Sequence, residues 1–328
     1  MMKIAFTSCC DPWNDPTQAA WLELQKHTPD VLILLGDNMY MDYGMGNNPL
    51  GLYKPKKLSL SEFSDRMHTN YAKQWNIKNF YTAISNIQSI YAIWDDHDFA
   101  WNNSYAIGTN DNKKFVPSEY RILSRKLFEQ FRNALKSQPK QQNYPNNPCS
   151  NGIPEVDLGS IEATISLMED VRLHLIDGRS FRPKPDTAET FLGQNQKKNI
   201  ENEFKKYPHA IHIIASGTTL TDWETYSDFL WLKEVSKDIK VIVLSGDIHV
   251  PAIRNSTPIF EFTASAMAQT DFFSSTFFGR KTNVFGILDV NKNSIDVEIF
   301  QFDQINNNLM IKKSASINRT SWLLDQTI

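Results

Sequence analysis

Three apolar runs of this chain end in the same way. "VLILLGDNMY" (31–40) ends in Asp37 and Tyr40, and "YAIWDDHDF" (91–99) ends in Asp95, Asp96, His97 and Asp98. "VLSGDIHVPAI" (243–253) breaks at Gly246 and presents Asp247 and His249. Other runs end in Ser8, Cys9, Cys10 and Asp11, in Asp177, Arg179 and Arg182, and in 216–219. Asn102 and Asn103 follow just beyond Asp98. Carboxylates crowded into one place cannot all stay ionised unless cations sit among them. Carboxylate, phenol and imidazole suit hard or borderline ions, and a thiolate adds a softer ligand. Two such ions side by side polarise a phosphoryl oxygen and activate water. Arg179 has the planar fork that grips phosphate oxygens. His97 has the chemistry to give a proton to a leaving oxygen, with Asp98 or another acid orienting it.

Each residue also has a plainer reading. A Gly-Asp pair after a strand is often a turn and helix cap. A lone Cys9 is most often a small buried apolar residue, and Arg179 has Asp177 close by as a structural partner. Acids at three separate tips weigh against so bland an account. His209 and His212 alternate along a strand-like run and read as structural or exposed. Trp94 and Trp101 read as packing, and Asp222 and Trp223 are left without a role.

The tips need elements to hold them. Val- and Ile-rich runs at 3–7, 31–35, 90–94, 171–176, 211–215 and 241–244 are strand candidates. Between them lie helical patterns. "SLSEFSDRMHTNYAKQW" opens with a capping box at Ser59 and Glu62, then places Phe63, Met67, Tyr71 and Trp75 at steps of four. "SEYRILSRKLFEQFRNALK" does the same with Tyr120, Leu123, Leu127, Phe131 and Leu135. Alternating strands and helices predict α/β units. Ligands of such folds gather at the carboxyl ends of the strands.

Further on, "IEATISLMEDVRLHLID" reads as a hairpin, and so do "NVFGILDVN" and "SIDVEIFQFD" around 291–293. These strands predict a second, more antiparallel sheet, giving a four-layer α/β/β/α sandwich. Residues 139–160 are rich in Pro and Asn and predict a long surface loop with the character of a lid. The last stretch, "SASINRTSWLLDQTI", reads as a short helix over or beside the cleft.

The 328 residues allow a core of good size, here taken as one domain over 1–328 with a C-terminal extension after about 303. A net charge of −3 argues against a broad basic surface, so nucleic acid is not expected as a partner. Cys9, Cys10 and Cys149 cannot form a disulfide framework. No run has the length of a transmembrane segment. "MMKIAFTSCCDP" lacks a long apolar region, so the chain as written reads as cytoplasmic, or as periplasmic or secreted if a leader was removed.

"SGDIH", "LGDNMY", "WDDHDFAWNN" and "LIDGRSFR" resemble the main motifs of the alkaline phosphatase D (PhoD-like) metallophosphatases of the calcineurin-like metallophosphoesterase superfamily. "FTSCC", "FEFTASAMAQ" and "NVFGILDV" match its outer motifs, so the resemblance spans about 3–300. It implies the four-layer sandwich and two or more metal ions, iron with calcium or another pair such as manganese or zinc. It implies that Cys9, Asp37, Tyr40, Asp96, Asn102, Asp247 and His249 are metal ligands, with Asp37 bridging. It implies His97 as proton donor and Arg179 on the substrate side. Cys10 replaces the glutamine that often follows the family's cysteine, so either thiol is a candidate. Ala100 replaces a common glycine, and Ser216 stands where relatives offer a histidine. The expected activity is metal-dependent hydrolysis of phosphoric esters, as phosphodiesterase, phosphomonoesterase or both, through a binuclear metal-activated water. The expected substrate is a small-molecule, lipid or polymer phosphate ester. The alternative is a metal-stabilised, non-enzymatic phosphate- or ligand-binding relative.

Overall fold

A computed structural model describes residues 1–42, 55–109, 112–152, 159–185, 189–270 and 281–326. The first part of the chain forms β1 (Met2–Thr7), α1 (Ala20–Lys26), β2 (Val31–Leu35), α2 (Leu60–Trp75), α3 (Lys78–Asn86), β3 (Ser89–Ile93), α4 (Asp96–Phe99) and α5 (Ser118–Lys136). Next come β4 (Ala163–Met168), β5 (Val171–Leu175), α6 (Gln194–Lys206), β6 (Ile211–Ser216), α7 (Leu220–Trp223), α8 (Asp228–Val235) and β7 (Lys240–Ser245). The rest is strand: β8 (Ala252–Ser256), β9 (Ile259–Thr263), β10 (Gln269–Thr270), β11 (Lys281–Val290), β12 (Ser294–Asp303), β13 (Asn308–Asn318) and β14 (Leu323–Gln326).

Two mixed sheets face each other. The first has the order β14-β13-β12-β11-β1-β2-β3, with β10 paired to β11. The second has the order β4-β5-β6-β7-β9-β8. In the first, β1, β2 and β3 run parallel, and in the second, β5, β6, β7 and β9 do. Helices cover both outer faces, giving the four-layer sandwich. The period of two sorts each strand's side chains between layers. Ile211, Ile213 and Ala215 of β6 enter the core shared with the first sheet, whereas Ile214 packs outward with Ile200, Phe204 and Leu232. On the other side, Phe63, Met67, Tyr71 and Trp75 are all fully buried, and Tyr71 stacks on Phe131 of α5 at 4.8 Å. Burying one such side chain contributes about 1.5–3 kcal/mol. The Ser59–Glu62 capping box starts α2 as the sequence predicts.

Three expectations need correction. The C-terminal hairpin does not share a sheet with β4 and β5, because β11 pairs antiparallel with β1 and carries β12–β14 into the first sheet. The last stretch is not a helix. Its Ala315 and Ile317 alternate inward on β13, and the left-handed Trp322 turns the chain into β14, at the sheet edge opposite β3. Nor do the described residues of the 139–160 loop hang as a lid. Gln141 O accepts from Trp75 Nε1 (3.0 Å), Lys140 O from Tyr81 Oη (3.2 Å) and Asn146 O from Gln130 Nε2 (2.6 Å), which strap 139–152 to α2, α3 and α5. Residues 153–158 lie outside the described set. Among the described residues no helix is long and apolar enough to cross a membrane, and the three cysteines are free thiols.

One buried pair makes the fold sensitive to acid. His174 Nε2 and His212 Nδ1 lie 2.9 Å apart under Phe204, and His212 Nε2 meets Tyr207 O at 3.0 Å. Burial, with help from Arg172, depresses His174 to about 3 and His212 to about 4. The unfolded chain takes up these protons below about pH 6.5 and the folded chain does not. Stability from the pair is therefore present above that pH and is lost as pH falls towards 3, on the order of a few kcal/mol. Denaturant unfolding at about pH 7 and pH 5 should show a smaller acid-induced loss in a His174→Gln/His212→Gln variant than in the wild type. An equal loss in both would contradict this account.

Candidate metal centre

The carboxyl ends of both parallel strand sets meet at one end of the sandwich. Their tips are tied together: Met267 N donates to Ser8 O (2.8 Å), Gly246 N to Gly217 O (3.2 Å), and Arg179 after β5 reaches Asp95 after β3. The backbone at these tips is left-handed at Cys9 (φ 60°), Asp37 (50°), Asp247 (71°) and His249 (57°). L-residues enter that region at a cost of roughly 1–2 kcal/mol each, and such strain collects at functional sites. Local bonds hold it: Cys9 N donates to Gly36 O (3.2 Å), Cys10 N to Asp37 O (2.7 Å), and His249 N to Ser265 Oγ (3.2 Å).

Asp37 stands between two groups of donors. Its Oδ2 faces Cys9 Sγ (3.4 Å) and Tyr40 Oη (3.5 Å), and that phenol oxygen meets His249 Nε2 (3.3 Å). Asp37 also belongs to a cluster with Asp95, Asp96 and Asp247, whose ligand atoms all lie within 4.8 Å of one another. A second cluster joins it to Asp96 and His97, and His97 N donates to Asp37 Oδ1 (3.3 Å). One side thus offers sulfur, phenol, imidazole and carboxylate. The other offers carboxylates.

Burial sets the charge state. It pushes Asp37 well above the usual carboxylate range, with Cys9 and Asp96 adding to the effect. It pushes Asp95 up to about 7 against the pull of Arg179, Asp98 to about 6, and the Cys9 thiol to about 11. Asp247 rises through burial and through Asp96. Burial would also raise Asp96, but His97 and Arg179 outweigh it and hold the group below its ordinary value. Burial would lower His97, but Asp42, Asp96 and Asp37 outweigh it and hold the imidazole well above. Without cations the centre keeps protons, and cations would displace them. The donor set fits such ions. Asp95 Oδ2 is buried with no hydrogen-bond partner, a costly state for a carboxylate oxygen that a cation relieves.

A family model described as PhoD-like phosphatase matches residues 4–284. The chain belongs to the PhoD-like phosphatase family. Among solved structures it is similar to one described as the structure of PhoD, at 15% identity and a TM-score of 0.72, covering 100% of this chain and 71% of that one. It is also similar to GAP50, described as the anchor in the inner membrane complex of Plasmodium, at 10% identity and a TM-score of 0.50, covering 97% and 89% of the two chains. No curated protein matches the sequence.

In this PhoD-like phosphatase Cys9 lies with Tyr40 and Ala266, whereas Cys10 packs into the main core. Ser8 and Ser265 hydroxyls donate to Cys9 Sγ at 3.3 and 3.2 Å. Asn102 stands at the rim, its backbone N donating to Asp42 Oδ2 (2.8 Å) and its amide oxygen accepting from Asn103 (3.3 Å). Arg179 is 3% exposed. Its Nε and Nη2 both lie 2.6 Å from Asp95 Oδ1, and Nη1 donates to Ser104 O (3.2 Å). Asp177 takes the backbone N of Arg179 and the Trp94 indole, so it is not the guanidinium's partner. Trp223 is buried at the end of α7 and Asp222 pairs with Arg182, while His209 is exposed.

One acid escaped the sequence reading, and a second was seen at its strand tip without its partner. Asp42 Oδ1 meets His97 Nδ1 at 2.5 Å, so Asp42 rather than Asp98 orients the imidazole. Asp98 instead accepts from Asn38 N (3.0 Å) and Tyr71 Oη (3.0 Å). Neighbours on a helix point about 100° apart, so Asp98 turns away from the ring it adjoins in sequence. Asp95 is the second, committed to Arg179.

Proposed function

We propose that this phosphatase is a metal-dependent phosphoric ester hydrolase with a binuclear centre, working as one catalytic domain. Cys9, Tyr40 and His249 would hold one ion and Asp96 and Asp247 the other, with Asp37 shared and Asn102 near the second. The single observation that carries this is the Asp37 carboxylate lying between a thiol–phenol–imidazole group and a carboxylate group. The ion pair, when bound, supplies Lewis acidity towards a phosphoryl oxygen and a water of lowered pKa.

The chain's own groups do the rest. His97, held by Asp42 and with its ring 4.1 Å from that of Tyr40, keeps its proton and delivers it to the leaving ester oxygen. Arg179 adds fixed positive charge on the substrate side, with two N–H groups beyond those spent on Asp95 and Ser104. The intact His97–Asp42 pair and Arg179 support turnover over the non-enzymatic reading, since a scaffold needs neither.

Elemental analysis and ester assays test this together. Two metal equivalents per chain are expected, with hydrolysis of a nitrophenyl phosphodiester or monoester lost on chelation and restored by metal. No stoichiometric metal after reconstitution with iron, calcium and manganese would end the binuclear reading.

A further inference from the structure

Asp95 is the acid of the centre that the ligand assignments above leave out, and it is built in with care. It is 2% exposed. Its Oδ1 takes both Nε and Nη2 of Arg179 at 2.6 Å. Its Oδ2 is buried without a hydrogen-bond partner, in the cluster with Asp37, Asp96 and Asp247. A carboxylate oxygen left bare among three other acids is repelled by all of them. A cation at that oxygen relieves both the repulsion and the lost hydration.

The surrounding backbone leaves room for the Asp95 side chain. Two glycines clear its space. Gly36 has φ +92°, so its backbone alone favours glycine, and a Cβ there would also come 2.6 Å from Asp95 Cβ. Gly217 has no such backbone demand. A Cβ there would come 2.6 Å from both Cγ and Oδ1 of Asp95. Nothing nearer than Asp95 competes for that space, so the missing side chain at 217 is explained by the carboxylate it admits.

We propose that Asp95 is a further ligand of the cation held by Asp37, Asp96 and Asp247, and that its other oxygen ties Arg179 to that cation. This rests on the two-metal reading above. Asp95 then has a double duty. It completes the cation's coordination, and it fixes the guanidinium at a set distance from the metal, so metal and arginine act on a phosphate as one rigid unit.

The test is titration of metal-stripped protein with Mn²⁺ by calorimetry, on the wild type, Asp95→Asn, Gly217→Ala and Arg179→Gln. The wild type should show two binding steps. Asp95→Asn and Gly217→Ala should weaken one of them about 10- to 100-fold, the range for disturbed metal shells. The other, on the Cys9 side, should hold, as should its thiolate or phenolate charge-transfer absorption with iron. Arg179→Gln should keep both steps within about threefold. Two unchanged steps in both Asp95→Asn and Gly217→Ala would overturn the proposal. So would an Arg179→Gln loss as large as that of Asp95→Asn, since Asp95 would then serve only as the arginine's anchor. A wild type with fewer than two steps would defeat the two-metal reading itself. Should Asp95→Asn fail to fold, anomalous scattering from manganese-soaked wild-type crystals decides: a peak bonded to Asp95 Oδ2 supports the proposal, and manganese in the cluster without that bond refutes it.

Discussion

Asp37→Asn should purify with less than one metal equivalent and hydrolyse phosphate esters about a thousandfold more slowly than the wild type. The amide keeps the shape of the carboxylate but loses its charge and one of its two acceptor oxygens. Both donor groups depend on that residue, one through Oδ2 beside Cys9 and Tyr40, the other through the cluster with Asp96 and Asp247. Lewis-acid stabilisation is worth several kcal/mol, and about 4 kcal/mol is a thousandfold in rate. The same change should stabilise the metal-free protein. Burial and neighbouring groups raise Asp37 well above its ordinary value. A raised carboxyl binds its proton more tightly folded than unfolded, so its contribution is present at low pH and is lost as pH rises. Metal-free wild type should therefore weaken as pH rises above the ordinary carboxylate value of about 4, and metal-free Asp37→Asn should weaken less. Thermal melts with chelator check this beside the metal analysis. A mutant that keeps both metals and full activity removes the bridging role.

The second large effect concerns His97. His97→Asn should slow hydrolysis of an alkyl phosphate ester by about 10²–10⁴, the usual worth of a positioned general acid. It should slow a nitrophenyl ester far less, because nitrophenolate leaves without a proton. Asp42→Asn should show the same contrast at smaller size, since the amide still meets His97 Nδ1 but no longer supports the imidazolium. Metal content should be matched across variants, because His97 N also contacts Asp37. Equal losses on the two esters would mean that His97 shapes the site without donating the proton.

The strands, the main helices and the tip residues were legible because each is a local pattern. A run such as 31–35 is apolar on both faces because both faces are buried, and the polar residues begin where the strand stops. Partner choice was not local. Nothing in 281–290 says that it pairs with β1, and the hairpin reading of 283–303 holds in either sheet. The centre divides the same way. Asp37, Asp96 and Asp247 announce themselves beside glycine, histidine and strand ends. Asp42 is known only by its partner, 55 residues away. Asp95 was visible at its tip, but its task depends on Arg179, 84 residues on, and on the room left by Gly217. Adjacency favoured Asp98 as partner of His97, and helical geometry sent it to Asn38 and Tyr71 instead.

The seat of β1 in the first sheet also bears on synthesis. It lies between β2 and β11, with Phe6 opposite Gly286 and Met2 opposite Val290. A ribosome adding about 5–20 residues per second completes β11 on the order of 15–60 s after β1. For that interval one edge of an apolar strand stands open, which invites pairing with other chains. The tips of β1 and β2 are made early, but the sheet that fixes them closes only once β11 has been made. Premature termination before β11 would thus yield a chain that carries Cys9, Asp37, Asp96 and Asp247 and still lacks the strand that seals β1.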